Sequence, residues 1–213
     1  MKIQSNGGNV NWIDNSNISV ERYAVFNANT LNLNGEFTRN DLNVGLDAEN
    51  CEAHLYGVYL VDGKQHLDNH TRIDHRFSNC QSNEHYKGVI GGKGTAVFNG
   101  KVLVHRDAQK TNAFQENNNI LLTDDASIDS KPELEIYADD VKCSHGSTTG
   151  QMDEDALFYL RARGLSRESA TTLLLNAFAE EVLENVKGEA LKIYLKNLVE
   201  ERLKGLNSKE QTK

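Results

Sequence analysis

Cys143 and His145 stand two residues apart in the run Cys143-Ser144-His145-Gly146, where a β-type segment gives way to a helix-type one. Side chains on a strand alternate between faces, so an extended backbone here projects thiol and imidazole side by side. Thiolate with imidazole suits zinc, copper or iron–sulfur chemistry better than calcium or magnesium. Two donors do not close a coordination shell, so a metal held here needs further ligands, such as those of another chain. A neutral imidazole, with a pKa of about 6.5, can coordinate iron without a large deprotonation cost. A free thiol, near pKa ~8.5, needs positive charge or a metal beside it to act as thiolate. The same two residues also admit a plain reading, a small buried hydrophobe next to a surface histidine.

A second group comprises His54, His66, His70, His75, His85 and His105. Along residues 66–77, the even positions His66, Asp68, His70, Arg72, Asp74 and Arg76 share one strand face, and their alternating charges mark it as solvated. The odd positions Leu67, Asn69, Thr71, Ile73, His75 and Phe77 share the other, which makes His75 a hydrogen-bonded core histidine. A metal site on His66 and His70 would have to bridge roughly 13 Å along a strand. Gly91-Gly92-Lys93-Gly94 lacks the spacing of a phosphate loop and no helix follows it, so it reads as a corner. Asp124-Asp125 and Asp139-Asp140 read as turns, since adjacent strand residues diverge to opposite faces.

The elements that would position these residues are mostly β. From Ile18 to about Cys143 helix-type periodicity is absent. Short apolar-alternating runs recur instead, such as Cys51–Val61, His66–Phe77 and Val102–His105, and turn residues punctuate them at intervals of roughly ten. Asn34-Gly35, Asp62-Gly63, Asn79, Asn99-Gly100 and Asn117–Asn119 are among those punctuators. Only Asn34-Gly35 and Asn99-Gly100 have the form of hairpin turns, and asparagine at corners tolerates left-handed backbone. The pattern defines an all-β array and leaves sandwich and solenoid open.

After Gly150 the period changes. Asp153 can cap a helix over 154–163, with acidic residues at its positive end, and Gly164 stops it. Ser166 can cap a second helix, with Ala170, Leu173, Leu174, Ala177, Phe178 and Val182 as its apolar stripe. Beyond Gly188, residues Leu191, Tyr194, Leu195, Leu198 and Val199 form another. These faces exceed what short helices can cover mutually, so they dock on the β-array or on a partner. Domain boundaries follow: a β core over 1–149, helices over 150–206, and a polar, disordered tail over 207–213.

Composition narrows the function. The chain has 213 residues, 38% of them hydrophobic and 25% charged, which describes a globular protein. A net charge of −8 argues against a nucleic-acid partner. No apolar run approaches the ~20 residues that span a bilayer, and there is no signal-peptide pattern. Three widely spaced cysteines, Cys51, Cys80 and Cys143, make no disulfide framework and fit a reducing cytoplasm.

The stretch from Lys131 to Gly164 carries a resemblance, together with Arg72-Ile73-Asp74-His75, Gly94–Lys101 and Asn117–Leu122. In this order they resemble the carboxyl-terminal core of the SufB/SufD family, scaffold subunits of the cytosolic Suf machinery for iron–sulfur cluster assembly. The resemblance runs from about Asn40 to Leu203. It implies a right-handed parallel β-helix followed by a small helical domain, with no catalytic activity of its own. It also implies a transient cluster shared with a SufB partner and none tightly bound to the isolated fragment. His145 falls on the family's CSHG motif and takes a role in cluster assembly at the SufB contact, with Cys143 beside it.

The helical region would dock on the ATPase SufC, with Leu157, Phe158, Leu160 and Arg161 as candidate contacts. SufB-like sequences carry Glu after the histidine, where Gly146 stands here. They also carry a functional cysteine where Ala126 stands, six residues before Pro132. The chain therefore resembles the SufD branch and would contribute ligands without accepting sulfur itself. Relatives are longer, so the abrupt start marks a carboxyl-terminal fragment. An uncapped solenoid end would favour homodimers when SufB is absent. A rival reading is a β-helix enzyme, a metal hydrolase or polysaccharide lyase using the histidine-rich face.

Overall fold

The computed structural model describes residues 1–5 and 10–210, the last four by backbone alone. Among them eleven strands precede three helices, and strand pairing is parallel throughout. Odd-numbered strands form one sheet and even-numbered strands the other, each strand hydrogen-bonded to the next of its own set in chain order. The strands are β1 (Lys2–Ser5), β2 (Asn11–Val20), β3 (Val25–Asn34), β4 (Phe37–Leu46), β5 (Glu52–Val61) and β6 (His66–His75). Then follow β7 (Gln81–Ile90), β8 (Thr95–Val104), β9 (Thr111–Leu121), β10 (Ser127–Ile136) and β11 (Val141–Gly150). The chain alternates between the two sheets and climbs one rung per circuit. This is a parallel β-solenoid, the architecture expected from the family resemblance rather than the sandwich that periodicity alone left open.

The corners stack in columns. Tyr23, Asn50, Asn79 and Lys110 all take left-handed backbone, with φ of 60°, 60°, 61° and 59°, just before successive strands of the odd sheet. Asn tolerates this conformation because its short side chain can bond locally. Gly63 and Gly92 occupy the other corner, with φ of 63° and 59°. A Cβ on Gly92 would sit 2.7 Å from the backbone nitrogen of Gly63, so glycine is required there by close approach as well as by φ. The Gly91–Gly94 run is therefore a corner, as its spacing suggested.

Two polar runs expected to be turns are strand interior. Asn99-Gly100 lies within β8 and Asn117–Asn119 within β9. Gly100 faces inward because the Gln115 side chain lies where a Cβ would be, 2.4 Å from its Nε2. Asn34-Gly35 joins strands of different sheets, so it is a corner and not a hairpin.

The lumen is filled by one apolar cluster that includes Leu46, Leu55, Ile73, Phe98 and Val102. A second cluster lies outside the odd sheet. Leu31, Leu33, Val58, Leu60 and Val89 from the strands meet Leu175, Ala179, Val182, Leu195, Val199 and Leu203 from the helices. Helix α1 spans Glu154–Ala162, α2 spans Arg167–Leu183 and α3 spans Glu189–Glu210. Asp153 accepts from the backbone of Asp155 and Ala156, and Ser166 from that of Ser169, as the caps required. Gly164, with φ of 95°, follows the end of α1, and Gly188, with φ of 98°, stands immediately before α3.

The buried face of α2 is rotated from the expected stripe. Leu175, Ala179, Val182 and Leu183 are buried, whereas Leu173 is 49% exposed. The run of consecutive leucines allows more than one stripe, and docking on the strands selects among them. Helix α3 takes in residues 207–210 of the expected tail, while 211–213 lie outside the described residues.

Candidate functional site

Strand β11 is the last rung of the odd sheet and β10 the last of the even sheet, so both present an unpaired edge among the described residues. In β11 the register sets Cys143 against Ala113, His145 against Gln115 and Ser147 against Asn117. Cys143 packs against the lumen cluster, and Ser147 Oγ lies 2.8 Å from Ser130 Oγ of β10. His145 lies between them on the same face. It is exposed because no further rung covers it, and its side chain makes no hydrogen bond with the described residues.

The two donors therefore differ in availability. Cys143 is half-buried, and burial raises its thiol above the ordinary range while a backbone bond at Ala113 offsets this in part. Among the described residues no cation acts on it to hold a thiolate. His145 offers its ring at the open end of the lumen. One free imidazole and one recessed thiol fit a shared site, in which this chain lends a ligand to a cargo held jointly with a partner. They do not fit a closed metal centre, and no group of three or more potential metal ligands occurs among the described residues.

Behind the open rung one stretch of the otherwise apolar lumen is polar, a feature invisible until strands are set in register. Ser130 Oγ donates to Asn117 Oδ1 at 2.8 Å, Asn119 Nδ2 donates to the same oxygen at 2.7 Å, and Asn117 Nδ2 donates to Tyr59 Oη at 3.0 Å. Tyr59 donates in turn to Asn119. One residue pair along, Gln115 Nε2 donates to Glu84 Oε2 at 2.6 Å. Glu84 is fully buried, and loss of solvation pushes its carboxyl up to about 7 despite the Thr71 and Gln115 dipoles.

The histidine-rich strand divides as its alternation predicted. His75 is fully buried, with Nε2 2.8 Å from Ser82 Oγ, and burial lowers its pKa to about 4. On the opposite face Arg72 and Arg76 both bond Asp74, and His70 Nε2 lies 2.7 Å from Asp68 Oδ1. His66 stacks on Phe37 with ring centroids 5.4 Å apart. His66 and His70 are thus engaged separately.

Of the helical candidates, Leu157 is 1% exposed and packs inside the domain, so it offers no side chain to a partner. Leu160 is half-buried, Arg161 is exposed and Phe158 is 73% exposed. Sequence reasoning missed Tyr159, Ile193 and Tyr194 as further exposed apolar side chains on the helices. No helix among the described residues is long and apolar enough to cross a membrane.

A parallel β-solenoid with helices docked along one sheet and an exposed imidazole on its last rung defines the structural class of this protein. Residues 1–178 match the family model described as "SUF system FeS cluster assembly, SufBD core domain". The chain belongs to that SufBD family of iron–sulfur cluster assembly proteins and is a homologue of SufD. It is 38% identical over 173 residues, 81% of its length, to the iron–sulfur cluster assembly protein SufD of Escherichia coli, and covers 41% of that protein. It is 38% identical over 169 residues to a SufBD family protein of Synechocystis, covering 79% of this chain and 37% of the relative. A chloroplastic protein of Arabidopsis thaliana, ABCI7, is 35% identical over 166 residues, 78% of this chain and 35% of the relative. The chain thus spans about two fifths of the length of these relatives.

Proposed function

We propose that this chain is the non-catalytic scaffold part of a cluster-assembly complex, in which the last rung pairs with a SufB-type subunit. His145 then contributes a ligand to a nascent iron–sulfur cluster held between the two, with Cys143 as an auxiliary donor. The observation that carries this reading is the unpartnered, exposed imidazole of His145 on an unpaired strand edge. A strand edge left open is a template for another sheet, so a second copy of this chain would occupy it when SufB is absent. The helices bind the ATPase SufC through the exposed Phe158 and Arg161. ATP-driven motion of SufC would then expose the shared site. The His145 ring is exposed to an incoming iron, whereas burial disfavours the thiolate of Cys143 and leaves it the lesser donor.

Reconstitution of the full chain with SufB and SufC tests the site. His145→Ala should cut cluster formation at least tenfold, and Cys143→Ala should cut it less. Unimpaired assembly by His145→Ala would end this reading. Phe158→Asp should abolish SufC binding and leave the solenoid folded. That substitution is cleaner than removing the helices, which would uncover Leu31, Val58 and Leu60 on the odd sheet. SufC binding that survives Phe158→Asp and Arg161→Glu together would place the docking surface elsewhere.

A further inference from the structure

Along the inner face of the odd sheet, Glu84, Gln115 and His145 occupy one column on successive rungs. The register sets Glu84 opposite Gln115 and Gln115 opposite His145. Glu84 and Gln115 are each 1% exposed, yet Glu84 Oε1, Gln115 Oε1 and Thr71 Oγ1 are buried without a partner in hydrogen-bond geometry. A buried polar atom left unmet costs about 1–3 kcal/mol, so three together call for an explanation. Thr71 reaches the Glu84 carboxyl from the even sheet. If that carboxyl carries its proton, Oε1 donates to the Thr71 hydroxyl and two of the three are met. The amide oxygen of Gln115 remains.

Its direction is constrained. The Gln115 amide nitrogen is committed to Glu84, one rung inward. A planar amide sets its oxygen away from that bond, and the next residue in the column is His145. An acceptor lacking a donor and an imidazole lacking any partner thus lie on adjacent rungs, about 4.8 Å apart in the pairing direction. Ligating histidines generally donate their second ring N–H to a carbonyl or carboxylate, which fixes tautomer and ring orientation.

We propose that Gln115, held by the buried carboxyl of Glu84, is the positioning residue of the His145 site: its amide oxygen takes one ring N–H and leaves the other nitrogen bare towards the open rung. Glu84 acts through Gln115 and touches no ligand. The inference rests on His145 being the contributed ligand, and it deepens that reading by naming what aims the ring. The amide must present its oxygen outward for this, and only an acceptor on the inner side can enforce that choice. A carboxyl supplies such an acceptor whether or not it is protonated.

The test reads the ring itself. The full chain, labelled with 15N-histidine, reports the tautomer of His145 by long-range proton–nitrogen correlation at pH 7.5. The wild type should show one tautomer, and Gln115→Met should shift the ring nitrogens to the mixture of an exposed histidine. Glu84→Met should do the same, while Glu84→Gln, which keeps an oxygen acceptor for Gln115, should restore the wild-type pattern. Iron retained with SufB should fall about tenfold in Gln115→Met, the usual cost of losing such a partner. Melting curves identify a variant that fails to fold, and Glu84→Gln then carries the decision through its unchanged tautomer. A ring that is already a mixture in the wild type, or that ignores Gln115→Met, overturns the proposal. Silence of His145→Ala in cluster assembly overturns the parent reading instead, and the tautomer measurement tells the two failures apart.

Discussion

The two sheets of the solenoid obey one alternation and turn opposite chemistries outward. On the odd sheet the outward residues Leu31, Leu33, Val58, Leu60 and Val89 are apolar and covered by α2 and α3. On the even sheet the outward residues include Arg39, Asp41, Asp68, Arg72 and Asp74, tied by ion pairs such as Arg39 Nη1 to Asp68 Oδ2 at 2.8 Å. A strand period of two fixes only that alternate residues share a face; residue type decides what that face accepts. The helices could settle on only one side, and they leave the other wet. Burying each Leu or Val there removes its apolar area from water, worth roughly 1.5–3 kcal/mol per side chain.

The largest break in this contrast is to give the odd face the chemistry of the even one. Leu60→Asp would bury an unpaired carboxylate beneath the docked helices and should cost at least about 4 kcal/mol in urea unfolding. Leu175→Ala, which leaves a cavity in the same interface, should cost about 2–5 kcal/mol. An equal loss from a charge change on the even face would erase the distinction.

Inside the solenoid the same division recurs between two buried titratable groups, with opposite signs. Glu84 has its carboxyl raised to about 7 from an ordinary 4.5. Between those values the folded chain holds a proton that the unfolded chain has lost. Its contribution is therefore complete below pH ~4.5 and is lost as pH rises through about 7. His75 is lowered to about 4 from 6.5. Between those values the unfolded chain binds the extra proton, so stability falls as pH drops through that range and is complete above it. The two slopes oppose each other across their overlap, and the wild type should be nearly flat there. Glu84→Gln should unmask the rise with pH and His75→Gln the fall, each of about 3 kcal/mol in total. Urea midpoints measured at half-unit pH steps would check both, and parallel slopes in the two variants would contradict the assignment.

How much of this could be read from the chain depends on whether a residue acts with near or distant neighbours. That Cys143 and His145 share one strand face, that Asp153 and Ser166 cap helices and that His75 is buried all follow from local spacing, and the structure agrees on these placements. Asn117–Asn119 did not yield to that reasoning, because a polar run in isolation looks like a turn. In the strand, Asn117 and Asn119 point inward to bond each other and Tyr59, while Asn118 points outward to Thr148. Glu84 and Gln115 are unreadable for the same reason: their partnership exists only once the rung-to-rung register is known. The solenoid itself needed family resemblance, since alternation is common to every half-buried sheet.

A milder test lies where the helices meet the polar edge of the odd sheet. Lys87 is 5% exposed, bonds Glu181 of α2 and lies over the Phe178 ring at 4.4 Å. Glu181→Gln keeps an acceptor but removes the charge opposite a buried ammonium, and should cost about 1–3 kcal/mol. Lys87→Met keeps the packing on Phe178, removes the buried ammonium and leaves the Glu181 carboxylate, whose side chain is 65% exposed, to water, so it should cost less than Glu181→Gln. The reverse order would mean that attraction, not desolvation, dominates this contact.

The smallest effect is expected on the even face. Arg76 pairs with Asp47 and, at 3.1 Å, with Asp74. Asp74 is only 8% exposed, yet it does not depend on that contact alone, because Arg72 Nε also bonds it at 2.8 Å. Arg76→Met therefore leaves the buried carboxylate still paired and removes an arm whose side chain is 46% exposed. Exposed pairs of this kind are worth about 0–1 kcal/mol and are screened by salt. The change in unfolding free energy should stay below about 1 kcal/mol and vanish in 1 M sodium chloride. Arg72→Met and Arg76→Met combined should exceed the sum of the single changes, because only the pair strands Asp74. A strictly additive double variant would show that the carboxylate draws its support from water, and that the even face is solvated more deeply than its ion pairs suggest.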